Sequence, residues 1–179
     1  MDLQYIVQAL KRTFRKHDRS QLNTQHEEMN NHMDQAIDLS RFVKAQKRSY
    51  KTALKEIRNG FKETHWMWFI FPQIHGLDHS TTSQFYAIQS LDEAKAFLED
   101  PYLGRNLHEI CNVLLNLRSS NATEVFGRPD DKKLKSSMTL FSLVSGDDNI
   151  YQQVLDKFFD GRRDNRTLRI LGFNESDQF

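Results

Sequence analysis

Cys111 is the single cysteine of the 179-residue chain, so no intramolecular disulfide can form and the fold has to be held by its core. A lone thiol fits a reducing compartment. Glycine is thin and evenly spread: seven residues, no two closer than eleven positions. Dinucleotide-binding and P-loop fingerprints need glycines clustered so that backbone can approach a phosphate, and both are excluded. Long apolar runs are missing too. The longest, Trp66 to Phe71, falls far short of the roughly 18 residues a membrane helix needs. No secretory leader is expected, because the basic residues follow the first apolar stretch and do not precede it. Nor does one charge dominate: 25 Lys and Arg oppose 24 Asp and Glu. That balance argues against a global nucleic-acid-binding surface and leaves only local patches open. With 38% hydrophobic and 27% charged residues, the composition is that of a soluble globular protein of one domain, read as cytoplasmic.

Along the chain, residues 2–17 place Leu3, Ile6, Val7, Leu10 and Phe14 on one helical face, with Lys11, Arg12, Arg15 and Lys16 opposite. Such a helix docks its apolar stripe on the main domain or contacts a partner; Asp2 weakens an organelle-leader reading. A polar linker follows, giving a predicted organisation of 1–36, a helical domain over 37–173, and a tail over 174–179. From Ser40, the residues Leu39, Phe42, Val43, Ala53, Leu54 and Ile57 follow helical spacing, and Gly60 ends the helix. The run His65 to Gln73 shows neither helical nor strand period, is apolar on all sides, and is read as the central core element. Beyond it, Ser90 with Glu93, Asp100-Pro101, Asn121 and Asp130 open successive helices, and further helices are expected near 149–159 and around Leu168. Strand signals are nearly absent. The predicted fold is all-α, a compact single-domain multi-helix bundle with a central Trp-rich core segment.

Several polar residues fall on inward stripes, where an unpaired amide or hydroxyl costs about 1–3 kcal/mol. Gln46 and Tyr50 do so in the first clear helix; each pairs either with internal backbone or with a ligand. In the segment Lys133 to Phe141, Ser136, Ser137 and Thr139 cost helix propensity. They either let a neighbouring helix approach or line a polar pocket, with Lys133 offering charge to an anion. His65 borders the apolar run, where burial could tune it as an acid or base for a Ser137 nucleophile; the bland alternative is a histidine bonded to backbone. His65, His75 and His79 match no zinc spacing, so no metal and no cofactor is expected. His108 and Cys111 share a helical face, but Cys111 lies in an apolar stripe and is read as inert.

The stretches Asp38 to Gln46, His65 to Gln73, Tyr86-Ala87-Ile88 and Lys133 to Phe141 resemble the domain-of-unknown-function family numbered 1810, over about Asp38 to Gly172. The resemblance implies a compact, mainly helical single domain and carries no established activity. One departure is local: the family pattern Gly-Leu-Gly followed by serine reads Gly76-Leu77-Asp78 here, with Ser80 after it.

The functional expectation is that Gln46, Tyr50, Trp66, Trp68, Gln73, Ser80, Tyr86, Lys133, Ser136 and Thr139 converge on a pocket for a small polar anionic ligand, nucleotide or NAD-derived, with a tryptophan as stacking face. If chemistry follows, it is metal-independent hydrolysis or glycosyl-bond cleavage through His65 and Ser137. The competing expectation is a non-enzymatic protein-interaction module that uses the N-terminal helix.

Overall fold

Caps and turns written into the sequence set the helix boundaries. The computed structural model describes residues 37–146 and 149–174. The chain divides into two units, Met1–Ile37 and Asp38–Phe179. The helix expected over residues 2–17 lies outside the described residues.

Among the described residues there are nine helices and no strand. α1 (Ser40–Arg58) buries Phe42, Ala45, Ala53, Leu54 and Ile57. It ends where Gly60 turns to φ 84° and the Phe61 N–H reaches back to the Glu56 carbonyl at 3.2 Å, a left-handed cap that a side chain would strain. The tryptophan-rich run, whose pattern left helix and strand open, contains a helix and no strand. One helical turn, α2 (Met67–Ile70), leads to Pro72, which has no N–H to continue it. The chain then extends, and Ile74 pairs with Ile88 in an isolated parallel bridge. Trp66, Met67, Ile70 and Phe71 are core, while Trp68 is half-buried.

α3 (Thr81–Phe85) and α4 (Leu91–Glu99) are capped by Ser80 and Ser90. The capping box expected at Ser90 is only half formed. Ser90 Oγ accepts from the Glu93 N–H at 3.1 Å, but the Glu93 carboxylate turns to the Gln89 N–H and to Arg41, each at 2.6 Å. An arginine charge outbids a cap amide, and the pair ties α1 to α4.

α5 (Leu103–Asn116), α6 (Ala122–Phe126), α7 (Asp130–Val144), α8 (Ile150–Phe159) and α9 (Asn165–Ile170) complete the fold. Asp100 Oδ1 caps α5 through the Tyr102 and Leu103 N–H groups, Asn121 caps α6, Asn149 caps α8 and Asp164 caps α9. α5 packs on α1, α4 and α8, and α7 packs on α4, α6, α8 and α9, so these two longest inner helices carry the core. A relay of rings crosses it, from Phe42 to Phe97 at 5.1 Å, Phe97 to Phe141 at 5.3 Å and Phe141 to Tyr151 at 5.8 Å. Each such contact is worth about 0.5–1.5 kcal/mol beyond burial. At the far end of α5, Lys157 of α8 donates to the Leu114, Leu115 and Leu117 carbonyls, satisfying acceptors that a helix C-terminus leaves bare. No described helix is long and apolar enough to cross a membrane.

Candidate functional site

Five of the residues expected at a ligand pocket are spent inside the protein. Gln46 is 1% exposed; its Nε2 donates to the Phe69 carbonyl at 2.7 Å and its Oε1 accepts from Asn106 Nδ2 at 3.0 Å. The Tyr50 hydroxyl lies 2.8 Å from the Asn106 carbonyl and 2.9 Å from Glu109 Oε2. Trp66 is buried, its indole N–H on Glu56 Oε2 at 2.7 Å. The Thr139 hydroxyl donates to the Lys135 carbonyl at 2.8 Å and accepts from the Asp164 N–H at 2.8 Å. Ser137 is fully buried and its Oγ has no hydrogen-bond partner, so no imidazole activates it, and His65 is exposed on the surface. The expected nucleophile–base pair is therefore corrected: a sealed hydroxyl and a surface histidine do not form one. Small hydroxyl residues on α7 serve packing and helix-backbone bonds, as Ser136 Oγ to the Lys132 carbonyl at 3.1 Å also shows.

Ser80 is an exposed helix cap that accepts from the Ser83 N–H at 3.2 Å. Trp68, Gln73 and Tyr86 do meet, with Ser83 and Asp78, around a space of about 10 Å³. That is room for one water at most, so the expected stacking face is not offered there. No group of three or more metal-ligating side chains occurs among the described residues.

The residues that do share an open cavity lie one turn away. A cleft of about 620 Å³ is walled by Gln73, Leu77 and Asp78 from the loop after α2, by Pro129, Lys132, Lys133, Lys135 and Ser136 of α7 and its approach, and by Asp164 and Arg166 at the start of α9. Its size is that of a small-molecule site. Of the expected residues, Gln73, Lys133 and Ser136 line it. Lys133 is held in place: its ammonium sits 5.0 Å above the Trp68 ring and 3.5 Å from Asp130 Oδ1, and Asp130 Oδ2 binds Lys62 at 2.6 Å. Arg166 donates to the Leu77 carbonyl at 3.1 Å, fastening the loop to α9.

Four cations thus face two carboxylates in the cleft, and both carboxylates are already engaged. Asp78 Oδ1 accepts from the His79 and Ser80 N–H groups at 2.7 and 3.2 Å. Burial pushes the Asp78 carboxyl up, but those backbone bonds and the Lys133 charge outweigh it and hold the group below the usual carboxylate range. Asp164 Oδ2 accepts from the Thr167 N–H and hydroxyl at 2.8 and 2.7 Å. Lys132, Lys135 and Arg166 make no ion pair among the described residues. A second open cavity of about 570 Å³ adjoins through Lys135 and Asp164 and adds Arg162 and Arg163. Sequence reasoning missed Lys132, Lys135, Asp164 and Arg166. The signal was the basic run after Gly161, broken by an aspartate three residues before a threonine, which is a helix-cap signature.

No curated protein matches the chain. The solved structure of the conserved hypothetical protein Rv1873 from Mycobacterium tuberculosis is similar, at 42% identity and a TM-score of 0.74, covering 76% of this chain and 98% of that one. Residues 36–171 match the family model described as "Protein of unknown function (DUF1810)", and the chain belongs to that family.

Proposed function

We propose that the larger cleft binds a small polar, anionic molecule of the nucleotide or NAD-derived class. The observation that carries the reading is a cavity of ligand size in which four cations outnumber two carboxylates, with Lys132, Lys135 and Arg166 outside any ion pair among the described residues. Ammonium and guanidinium donors there attract phosphate or carboxylate oxygens, and the Gln73 amide supplies a neutral donor for orientation, the Ser136 proton being spent on the Lys132 carbonyl. Binding is what these groups support. Hydrolysis would need a base in reach of the ligand, and the two carboxylates in the cleft are committed to backbone and threonine donors.

Thermal shift against ADP-ribose, ATP, NAD and inorganic pyrophosphate tests this at fixed ionic strength. A probe at a hundred times its dissociation constant adds about 2.7 kcal/mol of stability. Lys133→Ala and Lys135→Ala are expected to weaken the responding probe at least about tenfold, while Lys95→Ala, exposed on α4, leaves it unchanged. If none of the four probes shifts the transition, or if the two cleft variants respond like the parent, the reading fails.

A further inference from the structure

The near-neutral total charge conceals a strongly segregated surface on α1. Lys44, Lys47, Arg48, Lys51, Lys55 and Arg58 are all exposed. At 100° per residue their positions fall within a single sector about 100° wide, and they run for about 21 Å along the helix. The only other residue of α1 in that sector is Ser40. The one acidic residue of the helix, Glu56, is buried elsewhere and engaged by Thr64 and Trp66. Of the six cations, Arg58 alone has an ion pair among the described residues, to Glu109 at 3.3 Å, and that pair is largely exposed. Asp38, just before the helix, caps the Ser40 N–H and feels Lys44.

Folding alone does not favour this arrangement. Helix surfaces gain from alternating signs at spacings of three and four. Here Lys44–Arg48, Lys47–Lys51 and Lys51–Lys55 stand four apart, and Lys44–Lys47, Arg48–Lys51 and Lys55–Arg58 stand three apart. Every one of these pairs is repulsive and weakens the helix. A polyanion laid along the stripe turns all six repulsions into attraction at once.

We propose that the exposed face of α1 is a docking surface for the phosphodiester backbone of a nucleic acid. A straight line of cations suits a linear polymer of regularly spaced charge. A uniform row of cations takes backbone phosphate as its partner, so the contact is expected to be largely independent of sequence. An anionic membrane is a poorer match. The apolar side of α1 is consumed by the core, Phe42, Ala53 and Ile57 being 0% exposed, so nothing on the helix can insert between lipids.

The test is fluorescence anisotropy of the full chain with a labelled 20-nucleotide RNA and a 20-base-pair DNA duplex, between about 50 and 200 mM salt. With all six cations engaged, log K against log salt falls with a slope of about −5 for duplex and about −4 for single strand. The tighter arm, compared at equal salt, tells which form is preferred. The triple variant Lys47→Glu, Lys51→Glu, Lys55→Glu should lose at least about tenfold in affinity and roughly half the slope, with a melting temperature no lower than the parent's, since three of the repulsive pairs become attractive. The pair Lys132→Glu, Lys135→Glu in the cleft should leave both unchanged. The proposal is overturned by no binding at about 50 mM salt with about 100 µM protein, by a triple variant that binds like the parent, or by a loss confined to the cleft variant. It is equally overturned if vesicles of 30% phosphatidylserine and 70% phosphatidylcholine capture the chain while neither nucleic acid does.

Discussion

Gly104→Ala is expected to lower stability by more than about 3 kcal/mol, a larger loss than overpacking usually causes. A Cβ built on Gly104 would stand 1.9 Å from the Leu98 carbonyl oxygen and 2.8 Å from its carbon. Both are backbone atoms near the end of α4, so no rotamer change makes room. The first turn of α5 would have to move away from α4, dragging Leu103 and Leu107, both essentially unexposed, out of register with the core. In a domain of this size the change corresponds to a fall of about 10 °C in the melting temperature. Gly146→Ala is the matched control, since a Cβ there meets nothing within 4 Å. Equal urea midpoints for the two variants would show that the α4–α5 crossing tolerates a methyl group.

Glu56→Ala is expected to cost about 3 kcal/mol or more. The carboxylate is 6% exposed and accepts four hydrogen bonds, from the Glu63 and Thr64 N–H groups at 2.9 and 3.1 Å, the Thr64 hydroxyl at 2.6 Å and the Trp66 indole at 2.7 Å. Removing it loses charge-assisted bonds and strands the Trp66 donor, which is buried, without a partner. The same geometry fixes a pH dependence. Burial pushes the Glu56 carboxyl up, but the bonds from Thr64, Glu63 and Trp66 outweigh it and hold the group below its ordinary value of 4.5. A carboxylate with a depressed folded value contributes stability above its unfolded value and loses it as pH falls through the folded one. Stability of the parent should therefore drop between about pH 5 and pH 3 more steeply than that of Glu56→Gln, which has no proton to take up there. Parallel acid profiles from urea unfolding would remove Glu56 from this role.

These two residues also mark where the sequence was and was not legible. Local chemistry was readable: Ser90, Asp100 and Asn121 cap the helices their patterns announced, and Gly60 and Gly127 end helices at positive φ. Those signals act within four residues and need no partner from elsewhere. Gly104 carries the opposite lesson. It sits inside a helix, and its reason is a carbonyl six positions earlier that only the crossing of two helices brings close. Glu56 carries no local signal either, because the loop after Gly60 brings its donors from Glu63, Thr64 and Trp66. Periodicity places Gln46, Tyr50 and Ser137 inside; Gln46 and Tyr50 are bonded there, while Ser137 Oγ has no partner. What periodicity does not encode is whether an inward tip meets a cavity or a neighbour's backbone. The cleft is instead built from the rims of α7 and α9, where Lys135 and Arg166 carry no apolar pattern to draw attention.

The arrangement of Lys133 over one indole gives the chain a built-in optical sensor. The two tryptophans sit under different constraints. Trp66 is clamped by Glu56 in the interior, and Trp68 lies half-buried with a single ammonium over its ring. Trp66 carries its own ammonium, that of Lys62 at 5.2 Å, and Asp130 bridges Lys62 and Lys133, so an anion drawing Lys133 into the cleft, as proposed above, acts on Trp68 directly and on Trp66 only through that bridge. On that proposal, emission from the unlabelled protein should follow occupancy of the cleft, and Trp68→Phe should remove most of the signal without emptying the site.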